Sequence, residues 1–363
     1  MPSNSLKRAG LLVVTFCCLM SGGCSQLIAD KFLIPPRSEK RESILAQRRT
    51  DHQKRLGDRM NAIECRSFDG TRLAALTIAP KPADPKADKS EKSEDSAQSS
   101  KSAQPAGIVF VLHGLTDRKE SMLDIAESLS NAGYFAVLPD LRAHGESGGR
   151  YTTLGFWERK DLTAFANHLA RQGHDVSRVG AIGGSLGAAV AIQWAAVDSR
   201  IKAVVAVAPF AELRSELNHL YSKFDIAGFK QRILESAAQD AGRFRIPDVS
   251  PLKSIAQIQT PIYIAHGWKD DIIPASESRR LFHAAGGPVV LETVESNHIK
   301  IREVLGNKFM KRAVQWMDVY LAARSDDTPK WVARYANRNF QPDAPVAVKQ
   351  DAAALVPTPA VNP

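Results

Sequence analysis

The sequence predicts an α/β fold, a mostly parallel, doubly wound sheet carrying a small helical insertion. Three observations predict it. Short runs such as 108–112, 179–182 and 204–207 are apolar throughout, as strands buried on both faces must be. Between them lie helical patterns such as 119–131 and 158–172. From residue 107 to about residue 323 the two alternate, the order that yields parallel strands joined by crossover helices.

The chain has 363 residues, 44% of them apolar and 24% charged, enough for one large domain with a full core. Residues 1–24 read as an export signal. Lys7 and Arg8 are followed by an apolar run at 11–20, too short to span as a helix, and then by Ser21, Gly22, Gly23 and Cys24. Small residues ending in a cysteine resemble a bacterial lipoprotein signal, which makes Cys24 the candidate lipidation site. Ser21 stands where that signal usually has an aliphatic residue, so plain cleavage or retention as an anchor stays open. The expected location is the cell envelope, at a membrane.

Residues 25–60, dense in Arg, Lys, Glu and Gln over 37–60, are expected to be a charged, solvated spacer. The main domain is expected over 61–323. It opens with strands at 63–68 and 73–78 around the turn signal Asp69-Gly70. An insert at 81–106, rich in Lys, Ser, Asp, Glu, Ala and Pro, has the composition of a disordered surface loop. Strands follow at 108–112, 134–138, 179–182, 204–207, 262–265 and 289–294, with helices at 119–131, 158–172, 186–197, 276–285 and 299–323. A helical, aromatic-containing lid interrupts the alternation at 210–250, and an Ala/Pro-rich tail occupies 324–363. Cys17 and Cys18 lie in the signal, so only Cys65 belongs to the mature body and no disulfide can form within it. The net charge of +9 is spread along the chain without a clustered basic stripe, which argues against nucleic acid as a partner.

Gly-X-Ser-X-Gly occurs twice, at 145–149 and at 183–187. A serine nucleophile is exposed by a sharp strand-to-helix turn, which requires a strand before the motif and a helix after it. Ser185 has both. Ser147 is followed by Gly148, Gly149 and Arg150, a loop, and is expected to be a decoy. Serine needs a base, and the base needs an acid to fix its tautomer. Beyond Ser185 the strand 262–265 runs into a loop holding Asp270 and Asp271. Asp270 is the first choice for the acid, with the adjacent Asp271 as the alternative. The strand 289–294 runs into His298, the candidate base. His283 falls in a helix. His113 and His144 read as structural residues and have no second ligand at a spacing suited to a metal. The backbone N–H groups of Leu115 and Leu186 are the candidate oxyanion donors. In the lid, Phe210, Leu213, Leu217, Leu220, Tyr221 and Phe224 offer an apolar lining.

Five motifs fall in register: His113-Gly114, the loop 140–148, 183–187, 266–274 and Asn297-His298. On these the chain resembles the α/β-hydrolase superfamily, in particular bacterial esterases grouped with serine aminopeptidase-like and monoacylglycerol-lipase-like hydrolases. The segments 155–162 and 248–252 look like that group's helix entry and return from the lid. The resemblance covers 108–321 and implies a sheet of the α/β-hydrolase type. It departs at Gly184, where relatives carry larger side chains, and at Asn297, where glycine is usual. The expected activity is carboxylic ester hydrolysis through an acyl-enzyme, on a small or medium acyl substrate and without a cofactor. A peptidase or amidase on the same residues, or a non-catalytic envelope protein keeping the fold, are the alternatives. The sequence gives no sign of oligomeric state.

Overall fold

A computed structural model describes residues 29–82, 105–222, 229–298, 300–324, 329–332 and 346–348. The export signal, Cys24, almost all of the insert at 81–106 and most of the tail lie outside these residues.

Among the described residues nine strands form one sheet in the order β1-β2-β4-β3-β5-β6-β7-β8-β9. β1 (Met60–Arg66) and β2 (Arg72–Ile78) make the antiparallel hairpin that Asp69-Gly70 signals, and β2 runs antiparallel to β4. The six strands β3 (Ile108–Leu112), β4 (Phe135–Pro139), β5 (Val179–Gly184), β6 (Ile201–Val207), β7 (Ile262–Gly267) and β8 (Val289–Val294) are parallel. Their side chains are buried almost without exception, so both faces need cover. Two hydrophobic clusters supply it, one on either side of the sheet.

The helix after β5, α4 in chain order (Leu186–Ala195), is buried along all ten residues. Its small residues Gly187, Ala188, Ala189 and Ala191 let it lie hard against β5 and β6. The preceding helices are α1 (Glu39–Leu56), α2 (Leu123–Asn131) and α3 (Glu158–Arg171); α5 (Leu213–Ser222) and α6 (Phe229–Asp240) form the lid. Then come α7 (Pro251–Gln257), α8 (Ala275–Ala284), α9 (Ile301–Leu305) and α10 (Asn307–Tyr320). The single helix expected at 299–323 is therefore two, parted at Gly306, whose φ of 50° breaks the helical path.

Three expectations need correction. The spacer 25–60 belongs to the body over its described residues. Leu45, His52 and Leu56 of α1 are buried, and its arginines pair with acids far along the chain: Arg41 with Asp117, Arg48 with Asp124, Arg55 with Glu127 and Arg49 with Glu146. The charge density that suggested solvation is instead complementarity to the domain surface. The domain consequently begins well before residue 61. The tail also returns to the sheet. Val332 is fully buried, Trp331 packs on Tyr263 with ring centroids 5.1 Å apart, and β9 (Val346–Val348) pairs antiparallel with β8. Among the described residues no helix is long and apolar enough to cross a membrane.

Candidate active site

β5 ends at Gly184 and α4 starts at Leu186, so Ser185 has to turn the chain within one residue. It does so with φ 53° and ψ −117°, a left-handed backbone that costs on the order of 1–3 kcal/mol for a residue with a side chain. The turn is held by the Ser185 N–H, which donates to the Val207 carbonyl at 2.8 Å. The flanking glycines are sterically required. A Cβ on Gly183 would sit 2.3 Å from the Gly187 carbonyl, and one on Gly187 would sit 2.4 Å from the Leu112 carbonyl. A Cβ on Gly184, which lines the cavity, would meet nothing.

Past β7, Asp270 lies in a tight loop closed by its N–H on the Gly267 carbonyl at 3.1 Å. The loop carrying His298 crosses here: a Cβ on Gly267 would fall 2.2 Å from the Ser296 carbonyl. His298 Nδ1 lies 2.6 Å from Asp270 Oδ2. The other oxygen, Oδ1, accepts the N–H groups of Ile272 and Ile273 at 3.0 and 2.9 Å. Burial alone would raise the Asp270 pKa. The hydrogen bonds from His266 and His298, with the Ile273 N–H, outweigh it and hold the carboxyl well below the usual range. Asp271, the alternative acid, is exposed. Its neighbour Asp270 meets the histidine.

His266 is the residue that sequence reasoning passed over. It is fully buried, with Nε2 3.2 Å from Asp270 Oδ2 and 2.8 Å from the Ile273 carbonyl, and Nδ1 2.6 Å from Ser278 Oγ. It pins the acid loop from below. Its place at the end of β7, four residues before the acid, was the available signal.

The loop after β3 holds Leu115. His113 is fully buried beneath it: Nδ1–H donates to the Gly114 carbonyl at 2.8 Å and Nε2 accepts the Leu141 N–H at 3.0 Å. Burial, with the neighbouring His144, pushes the His113 pKa down to about 3, so the ring is neutral. His144 Nε2 lies 2.8 Å from the Leu115 carbonyl and Nδ1 2.8 Å from that of Arg142, tying the two loops together. Ser147 is spent on structure. Its hydroxyl donates to the Asp140 carbonyl at 2.7 Å and accepts the Ala74 N–H at 2.9 Å. Leu186 is the first residue of α4, where backbone N–H groups have no partner within the helix.

One cavity of about 750 Å³ is lined by Ser185, His298, Leu115 and Leu186 together. Phe210, Leu213 and Leu217 of the expected lid lining face it, joined by Phe244 and Ile246. Phe224 lies outside the described residues, as do the side chains of Leu220 and Tyr221. Phe32, Leu33, Ile44 and Leu45 also line the cavity, so the N-terminal segment and α1 form part of its wall. Sequence reasoning missed this wall, although the spacing of Leu45, His52 and Leu56 marks one face of a helix. Among the described residues, no three His, Cys, Asp or Glu side chains gather in a way that would hold a metal.

Residues 103–244 match the family model described as serine aminopeptidase S33, a stretch that includes Ser185 and stops short of Asp270 and His298. The solved esterase Pf2001 of Pyrococcus furiosus superposes with a TM-score of 0.55 at 23% identity, over 74% of this chain and 96% of that one. The chain has the α/β-hydrolase fold. Among curated relatives, this chain is 26% identical over 234 residues to the putative esterase YitV of Bacillus subtilis, covering 59% of this chain and 89% of that protein. It is 27% identical over 211 residues to the uncharacterized protein YqkD of the same organism, covering 57% and 69%. An acylaminoacyl peptidase of Pyrococcus horikoshii shares the hydrolase fold with a TM-score of 0.54 at 15% identity, covering 74% of this chain and 42% of that one.

Proposed function

We propose that this hydrolase is a serine esterase acting through Ser185, His298 and Asp270. The observation that carries the reading is the 2.6 Å contact of His298 Nδ1 with Asp270 Oδ2, made where His298 and the strained Ser185 line one cavity. With the ionised Asp270 accepting from Nδ1–H, Nε2 is the basic nitrogen. Ser185 Oγ attacks the ester carbonyl as its proton passes to Nε2. The N–H groups of Leu115 and Leu186 receive the oxyanion. Collapse expels the alcohol, which takes the proton from His298. Water, deprotonated by the same nitrogen, then releases the acid and restores the serine. The apolar walls favour an acyl group of small or medium length.

A fluorophosphonate probe tests the reading. The intact mass of the wild type should rise by one adduct and that of Ser185→Ala should not. Turnover of a para-nitrophenyl ester well above that of an aminoacyl para-nitroanilide supports the esterase; the reverse order makes it a peptidase. No adduct and no turnover would leave a binding protein on a hydrolase scaffold.

The location we propose is the cell envelope, with a lipid on Cys24 holding the chain at a membrane. This rests on the run of residues 7–24. Metabolic labelling with a tagged fatty acid should mark the wild type and spare Cys24→Ser.

A further inference from the structure

The cavity wall contains three arginines, Arg41, Arg48 and Arg302, in an otherwise largely apolar lining. Two of them are committed. Arg41 pairs with Asp117 and Arg48 with Asp124. Arg302 is different. It sits in the first turn of α9, four residues beyond His298, and is an exposed residue that lines the cavity. Among the described residues no carboxylate comes within the 4.0 Å of an ion pair with it.

A guanidinium without a carboxylate partner on the wall of a largely apolar cavity is free to receive an anion. A carboxylate or phosphate there would gain charge-assisted, two-pronged hydrogen bonds. Its surroundings sharpen this. Protein packed around it and the charge of Arg48 push the Arg302 pKa below the ordinary arginine value, against the opposing pull of Asp117, Asp124 and Glu303. Two guanidinium groups near enough to repel, with the carboxylates of one already engaged, form a site whose unmet need is negative charge. The acidic members of the lining do not fill it: Asp117 is held by Arg41, and Glu216 belongs to the lid helix α5.

We propose that the cavity selects esters carrying an anionic group, a carboxylate or a phosphate, away from the bond to be cleaved, and that Arg302 is the residue that selects them. The inference rests on the serine esterase reading and names its substrate class. The apolar side chains of the lid and of residues 32–45 take the carbon chain, and Arg302, backed by Arg48, takes the charged end. Because His298 and Arg302 leave the sheet on one short segment, the base and the charge reader are positioned together.

The test compares para-nitrophenyl monoesters of dicarboxylic acids, from succinate to suberate, with the same molecules capped as methyl esters at the free end. A parallel arm carries a terminal phosphate in place of the carboxylate. The wild type should prefer one or both charged arms over the capped ester, and the favoured arm identifies the source of the anion. Arg302→Gln should lower kcat/KM on the charged ester about tenfold to a hundredfold, mainly through KM, the range expected for a charge-assisted hydrogen bond. It should leave the capped ester within about twofold. Arg302→Lys should recover part of the loss, and added salt should weaken the preference. Equal rates on charged and capped esters, with Arg302→Gln affecting both alike, would overturn the inference while leaving the serine chemistry in place. Absence of turnover on every ester, together with no fluorophosphonate adduct, would overturn the esterase reading itself.

Discussion

Replacing Asp270 by Asn removes one charge and keeps the shape, and the local hydrogen bonds dictate how the site responds. Oδ1 accepts two backbone N–H groups, from Ile272 and Ile273, while Oδ2 faces His298 Nδ1. An amide has a single oxygen. Two fixed donors will hold that oxygen, leaving the NH2 group against Nδ1. His298 must then accept at Nδ1, which moves its proton to Nε2, the nitrogen that in the proposed mechanism has to be free to take the serine proton. Loss of the buried charge further removes the stabilisation of the imidazolium. A wrong tautomer combined with a missing counter-charge costs roughly a thousandfold to ten-thousandfold in kcat, or about 4–5.5 kcal/mol of transition-state stabilisation. Initial rates on a para-nitrophenyl ester and the rate of fluorophosphonate labelling should fall together, with the far-ultraviolet spectrum unchanged. Asp271→Asn serves as the control and should stay within about twofold of wild type. A loss under about tenfold in Asp270→Asn, or an equal loss in the control, would refute the assignment of the acid.

Gly187→Ala should destabilise the fold by about 2–4 kcal/mol, read by chemical denaturation, because its Cβ would lie 2.4 Å from the Leu112 carbonyl and neither α4 nor β3 can retreat. Leu56→Ala should cost about 2–4 kcal/mol by the same assay, since Leu56 is buried in the core; an exposed spacer would lose no more than about 0.5 kcal/mol. His113 stays neutral in the fold down to a pKa of about 3, against 6.5 when unconstrained, so its contribution to stability is complete above pH 6.5 and is lost as pH falls from there towards 3. Unfolding free energy measured across that interval should slope less steeply in His113→Gln, even if that variant is weaker throughout.

The parallel sheet and the serine turn were legible because both are written locally. A strand buried on two faces has no polar alternation, and a turn that needs φ 53° between close-packed elements leaves glycines at 183 and 187. The position of His298 beside Asp270 follows from its order after the last long parallel strand. Three features were not legible. The seating of α1 depends on acids 72 to 97 residues away, and a run of charges does not say which partners it will meet. The support that His266 gives Asp270 exists only once the loop has folded back on its own strand. The return of the tail to β8 depends on an open sheet edge, which residues 346–348 do not advertise.

Ala29 enters the body fully buried, and Leu33, one helical turn later, already faces the cavity. A tether that pulled at residue 29 would act one helical turn from Leu33 on the cavity wall. Cutting the chain at residue 60 to obtain a tidier enzyme would remove that wall, and with it part of the surface against which a substrate is measured.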